Sequence, residues 1–272
     1  MYMCKENLST ERCRYLDKKK KRKLHILLCQ ILILVGLVAA WEILANVGVI
    51  DSFMVSQPSR ILKTFLNVSQ NGLLTHVGVT VYETLVGFLL GICLGVLLAT
   101  ILWWSEFLSK VFEPYLVVLN SLPKIALGPV IIIWVGAGTQ AIIVMALAIS
   151  MIVTVLEMLN GFMNTDVEKI KMVKTFGASR AQIFTKIVLP SNTHTLFNSL
   201  KINIGLSLVG VIAGEFLVSK AGLGYLIVYG GQVFQMDLVM ASVIILSVVA
   251  ALMYQAVVWA ERLSQRLTNH AR

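Results

Sequence analysis

Charge is scarce in this chain: only 14 % of its 272 residues are Asp, Glu, Lys or Arg, whereas 57 % are hydrophobic. A soluble domain carries nearly a quarter charged residues, so a soluble globular protein is excluded and a multi-span membrane protein is indicated. Cysteine is also sparse. Cys4, Cys13, Cys29 and Cys93 form no C-x-x-C pair and two lie in apolar runs, which points to neither a disulfide framework nor a metal site. The four histidines show no ligand spacing, and H-E-x-x-H and G-x-S-x-G are absent. There is no G-x-x-x-x-G-K-[ST] phosphate loop, nor any Gly-Lys pair, so the chain does not hold ATP in that way. Nothing here reads as an enzyme. Proline is rare as well, with five in all, and Pro114, Pro123 and Pro129 fall inside one apolar stretch.

What charge there is lies in patches. Of the 23 Lys and Arg behind the +9 net charge, nine (Lys5, Arg12, Arg14 and the run Lys18 to Lys23) precede Leu24, which makes a topogenic signal and a contact for anionic lipid heads rather than a nucleic-acid face. The apolar stretch that follows, Leu24 to Ile50, is too long for the core of a cleaved signal peptide, so it reads as a retained first span. Asp51 to Leu74 contains Pro58, Arg60, Lys63, Asn67 and Asn71; it is too polar to cross and suits an amphipathic helix in the outer interface.

The second span, about Val77 to Trp104, carries Gly87, Gly91 and Gly95 at four-residue spacing. In lipid, apolar side chains gain little by leaving lipid for one another, so helices associate where small residues let backbones approach. This stripe is a candidate packing face, and Trp103 and Trp104 suit an interfacial belt. The third span, about Val111 to Val135, is broken by its prolines beside Asn120, Ser121 and Lys124. A carbonyl left unpaired by proline is tolerated in a membrane only against protein or a water-lined cavity, so this span is expected to line a pathway. A turn at Gly136-Ala137-Gly138 leads to a fourth span ending near Phe162. A fifth covers about Thr195 to Val218, an outer loop Ser219 to Gln235, and a sixth about Met236 to Trp259.

Between the fourth and fifth spans lies Asn164 to Pro190, too polar for a bilayer and too well patterned for a slack loop. Thr165 with Glu168, and Ser179 with Gln182, read as capping boxes that start two short helices. Gly177 ends the first, where a left-handed residue is needed, and Leu189-Pro190 ends the second. Ile170, Val173 and Phe176 share one helix face, and Ile183, Phe184 and Ile187 another. The expectation is a rigid elbow; the bland readings are an ordinary helical hairpin or a DNA-binding helix-turn-helix.

Gly177, nine residues, Ile187, one residue, then Leu189-Pro190 resembles the G-x9-I-x-L-P part of the EAA motif of inner-membrane permeases of binding-protein-dependent ABC importers. Gly177-Ala178-Ser179-Arg180 is similar to the sulfonate, nitrate and taurine permease subgroup, and Asn120 to Gly138 and the Gly222-Leu223-Gly224-Tyr225-Leu226-Ile227 run also resemble family segments. One departure stands out. Where the family usually has Glu-Ala-Ala, this chain has Lys171-Met172-Val173, so the charge contact of that glutamate does not carry over.

The resemblance implies an all-α membrane protein of six transmembrane helices in the MetI-like ABC permease fold, with both ends cytosolic. It divides as a basic segment 1–23, a permease domain 24–263 containing the elbow 164–190, and a tail 264–272. It implies that Lys171, Phe176, Gly177, Ala178, Ser179, Arg180, Ile187 and Pro190 couple to an ABC ATP-binding subunit, which alone holds ATP and magnesium; this chain binds no cofactor. It further implies an extracytoplasmic solute-binding protein, a second permease copy in a homodimer and a surrounding lipid membrane, with no nucleic acid. The solute is a sulfonate, nitrate, taurine or similar anion, or a vitamin precursor.

The cations agree with that orientation: eighteen of the 23 Lys and Arg fall on the cytosolic side against three outside, the remaining Lys124 and Lys201 lying within spans. Charged groups inside spans are costly and tend to face a cavity or a partner, which singles out Glu83, Lys124, Lys201 and Glu215. Asn120, Pro123, Lys124, Asn203 and Glu215 are the pathway candidates. For Lys124 the rival readings are snorkelling or an ion pair with Glu83, for Glu215 and Lys201 simple interfacial solvation, and for Asn120, Asn203 and Ser207 helix ties. The other functional class left open is a self-sufficient secondary carrier or channel in which Glu83 and Lys124 relay ions. Six spans without an evident inverted repeat make that harder to build.

Overall fold

The structure, a computed structural model, describes residues 10–66 and 72–270. Cys4, Lys5, Asn67, Asn71 and Arg272 lie outside the described residues. All regular structure among the described residues is helical.

Two units are distinguished, residues Met1–Thr64 and Phe65–Arg272. In the first, α1 runs unbroken over Thr10–Asn46, so the expected boundary at residue 23 falls inside a helix. Its stretch Leu24–Asn46 is long and apolar enough to span a membrane. After α2 (Ser52–Val55) comes α3 (Pro58–Leu66), with proline at the first helical position, where its missing N–H costs nothing. The Ser59 N–H donates to Glu42 of α1 at 3.1 Å, which fixes the reversal between the two helices.

The second unit is built around α7. Four of its helices have spanning length and composition: α4 (Leu73–Trp104), α7 (Thr139–Met163), α11 (Thr193–Val218) and α13 (Met236–His270). Between α4 and α7 lie α5 (Glu106–Ser121), a single 3-10 turn (Lys124–Leu127) and α6 (Gly128–Val135). The pair bends by 85° and counts as the sixth span only if taken as one. The break obeys proline sterics: Leu122, forced out of the helical region by Pro123, is extended at φ −65° and ψ 140°. Pro114, by contrast, is carried inside α5, and Pro129 sits in the first turn of α6. The expected outer loop is largely helical instead, with α12 over Leu223–Gln232.

Small residues set the spacing at α7. A methyl at Gly87 would lie 2.7 Å from the Cβ of Ala146; methyls at Gly91 and Gly95 would meet Ser150 and Thr154. The three glycines of α4 therefore oppose Ala146, Ser150 and Thr154, which repeat every four residues on α7, so the backbones meet along a strip. From the other flank Gly210 and Gly214 of α11 pack on Ala146 and Ile142. Contact this close supplies dispersion energy that lipid would not equal at a looser joint. The hydroxyls in the strip return to their own helix: Ser150 donates to the Ala146 carbonyl at 2.9 Å and Thr154 to that of Ser150 at 2.9 Å. No polar atom there is left facing hydrocarbon.

Candidate functional site

The elbow begins where α7 ends. Thr165 does not cap the next helix; Asp166 does, its Oδ1 accepting from the Glu168 N–H at 2.9 Å. Thr165 is drawn off by a contact across the base of the elbow: its hydroxyl accepts from Nδ2 of the buried Asn192 at 2.8 Å, which also donates to the Val188 carbonyl. The entry and the exit of the elbow are thereby tied together. Helix α8 covers Val167–Thr175, and Gly177 follows at φ +78°, a left-handed reversal with open space around it. The second helix, α9 (Arg180–Ile183), starts with the expected capping box: Ser179 Oγ accepts from the Gln182 N–H at 3.3 Å while Gln182 Oε1 accepts from the Ser179 N–H at 2.8 Å.

Leu189-Pro190 is not a stop. The chain stays helical through one π turn (Phe184–Val188) and α10 (Leu189–Ser191), and breaks at Asn192. The wider π turn also changes which residues face in: Ile183, Phe184 and Val188 are buried, while Ile187 is only half-buried.

Under the elbow Phe184 is surrounded by aromatic rings, with centroids 5.0 Å from Trp103, 6.3 Å from Trp104 and 5.3 Å from Phe162. Ala99, Leu102, Val155, Met158 and Leu159 complete this core, so the elbow is seated on the ends of both α4 and α7. Arg180 fastens the same joint, its Nη1 donating to the Trp104 carbonyl at 2.6 Å. That carbonyl belongs to the last turn of α4, whose end carbonyls have no partner within the helix. Ile170 and Ala178 pack on the core, but Phe176 does not share their face. As the last residue before the reversal it is turned outward and is 81 % exposed. Lys171 and Pro190 are also exposed.

At the opposite end of α4 a second constellation fixes α12. Glu215, buried in α11, accepts from Thr80 Oγ1 at 2.6 Å and from the Gly224 N–H in the first turn of α12. The Leu223 N–H donates to Thr80 Oγ1 at 2.8 Å, and that of Gly222 to Nδ1 of His76 at 2.9 Å. Glu215 thus serves as a helix cap supplied from another helix, satisfying N–H groups that would otherwise be orphaned. Gly222 is obligatory, being at φ +121° with the Glu215 carboxylate where a side chain would start. His76, Tyr225 and Tyr229 stack in series, with centroid separations of 5.8 and 5.9 Å. Glu83, also buried, lies beside Glu215 and near Thr139, yet neither of its oxygens makes a well-aligned hydrogen bond.

The remaining pathway candidates separate. Lys124 does not pair with Glu83; its Nζ donates to the Asn120 carbonyl at 2.8 Å and lies 3.3 Å from Asn120 Oδ1, closing the carbonyl exposed by the break. Asn120, Pro123 and Lys124 sit together at the bend on a surface the chain itself leaves open. Asn203 is fully buried and ties α11 to α7 through Thr154 at 3.0 Å, and Ser207 is buried nearby. Lys201 finds a carboxylate, Glu261 of α13, at 2.6 Å. Sequence reasoning missed that role for Glu261; a lone acid near the end of an apolar helix was the available signal.

Residues 91–269 match the family described as binding-protein-dependent transport system inner membrane component, and the chain belongs to that family. It is thus an ABC transporter permease, a multi-pass inner-membrane transport component without an ATPase site of its own. An ABC transporter permease protein of Haemophilus influenzae is 28 % identical over 84 % of this chain and 93 % of its own length. The aliphatic sulfonates transport permease SsuC of Bacillus subtilis is 25 % identical over 86 % of each chain. The formylaminopyrimidine transport permease ThiX of Halalkalibacterium halodurans is 26 % identical over 81 % of this chain and 88 % of its own. Among solved structures, the MetNI methionine ABC transporter in an inward-facing conformation superposes with a TM-score of 0.63 at 20 % identity, over 70 % of this chain and 94 % of that one, which establishes the shared fold.

Proposed function

We propose that this chain forms the translocation pathway of an ATP-driven importer and takes its work through the elbow. The observation that carries the reading is the seating of the elbow: an exposed Phe176 at a left-handed glycine, on a joint tied by Phe184, Arg180 and the Thr165–Asn192 clasp to the ends of α4, α7 and α11. Such a joint transmits displacement, whereas a loose loop would absorb it. A separate ATP-binding subunit engages Phe176 to Arg180 with Lys171, Ile187 and Pro190 in support; when paired ATPases close, two permease copies rock and the pathway opens on the other side. The amino terminus and the elbow lie in the cytosol, and an extracytoplasmic binding protein delivers solute to the other face. A homodimer suits the long open surface of α5 and α6, where Phe107, Tyr115, Ile133 and Trp134 are all strongly exposed.

Within the pathway the polar bend of Asn120, Pro123 and Lys124 faces solute, while Asn203 and Glu215 act in this conformation as a helix tie and a cap. The solute is a small anion of the sulfonate or taurine kind, or a vitamin precursor; relatives named for sulfonates and for formylaminopyrimidine support both classes. Because Lys124 bonds Asn120 rather than Glu83, the two charges needed for an ion relay are not in contact, which disfavours a self-sufficient carrier. Reconstitution of the chain with its ATP-binding subunit and binding protein tests the reading. Uptake that stops when ATP is withheld is expected; uptake driven by an ion gradient without any ATPase would overturn it.

A further inference from the structure

The tip of the elbow carries unneutralised positive charge beside its exposed apolar residues. Helix α8 packs its half-buried Ile170 on the core, leaves Val173 half-buried, and turns Met172 outward, 57 % exposed, one turn before Phe176. The acids of this segment are engaged or set apart: Asp166 caps α8 and lies 3.7 Å from Lys169, and Glu168 occupies the first turn, where the helix dipole favours it. Arg180 is held by the Trp104 carbonyl. Lys171 and Lys174, one turn apart, make neither an ion pair nor a hydrogen bond among the described residues. Lys171 stands where the resembled family usually carries glutamate, so the polarity of the tip is inverted.

Resting on the coupling reading above, we propose that the ATP-binding subunit receiving this elbow offers an apolar socket for Phe176 and Met172 with carboxylates on its rim opposite Lys171 and Lys174. A groove shaped to receive a glutamate would set like charges against Lys171 and reject this permease, so the pairing is selective as well as attractive. The inverted charge is a specificity device.

The test uses the full chain in membranes of its own cells. A benzophenone amino acid at position 176 identifies what the tip touches, and a zero-length carbodiimide, which joins an amine only to a carboxylate in contact, is applied in parallel. The expected result is a photo-adduct with a phosphate-loop ATP-binding subunit and an amide between Lys171 or Lys174 and an Asp or Glu of that same subunit. Lys171→Glu is expected to lower ATP-dependent uptake about fivefold, the size of a good rim ion pair, and exchanging the identified carboxylate for lysine is expected to restore it. A photo-adduct with the ATPase but no amide, together with normal uptake by Lys171→Glu, overturns the acidic rim and leaves the coupling reading standing. If position 176 captures only lipid, both are overturned.

Discussion

The two ends of α4 are fastened in opposite ways. At its carboxyl end the elbow is held from beneath by aromatic packing and a single charged hydrogen bond, and its outer face is left bare: Phe176 and Met172 are exposed beside free lysines. At its amino end the loop before α12 is held by polar groups that are nearly all used internally, with Thr80, Glu215 and His76 each bonded to it. Packing that leaves one face unsatisfied suits a surface that awaits a partner. A buried network in which Thr80, Glu215 and His76 are bonded, with only Glu83 beside them left without an aligned partner, suits a closure that must hold its shape within the chain, since each bond broken there strands a group away from water.

The contrast is most severely tested at Glu215. Glu215→Ala removes the acceptor of Thr80 and of the Gly224 N–H, and a loss of about 3 kcal/mol is expected from stranding two buried donors. It is read as a lowered thermal midpoint in detergent and rapid amide exchange across α12. Unchanged protection of α12 would show that its cap is dispensable. A smaller loss, about 1–3 kcal/mol, is expected for Gly91→Leu, which drives a side chain into Ser150 between the two ends; separation of α4 from α7, measured by spin-label distances, is the check.

At the elbow the effects on stability are smaller and those on work larger. Arg180→Ala gives up a charged hydrogen bond of about 1.5 kcal/mol and is expected to uncouple, so that ATP is hydrolysed in the assembled transporter with little uptake. Gly177→Val meets no neighbour, so its stability cost is the left-handed backbone alone, about 1–2 kcal/mol. The variant is expected in the membrane at near-normal level with uptake abolished. Normal uptake by Gly177→Val would break the comparison outright, because the elbow would then have no need of its reversal. The least effect is expected for Lys124→Met, which frees one carbonyl at an exposed bend; stability should shift by less than about 1 kcal/mol while the apparent affinity for solute changes.

Local signals in this chain were legible in proportion to how local their physics is. Apolar runs located the spans, because about 20 such residues are what a bilayer requires, and the glycine spacing on α4 marked a face of that helix. The box of Ser179 and Gln182 needed only three residues to be read. The matching box at Thr165 did not form because Asn192, 27 residues on, competes for its hydroxyl. The segment Ser219 to Gln235 reads as a loop because the cap of α12 comes not from its own N-terminal residues but from Glu215, whose further anchor Thr80 lies 135 residues away. Phe176 matched the apolar period of α8 and yet points out, since the helix ends one residue before it.

From the order of residues alone came the membrane class, the approximate spans, the family resemblance and the existence of a polar elbow, all consequences of composition and short-range spacing. Tertiary structure alone decided which face of the elbow is bare, that Glu215 caps a helix, that Lys124 closes its own bend and that α7 lies between two glycine-bearing neighbours. Those outcomes depend on groups far apart in sequence competing for the same few partners, and the winner of such a competition is set by proximity in space.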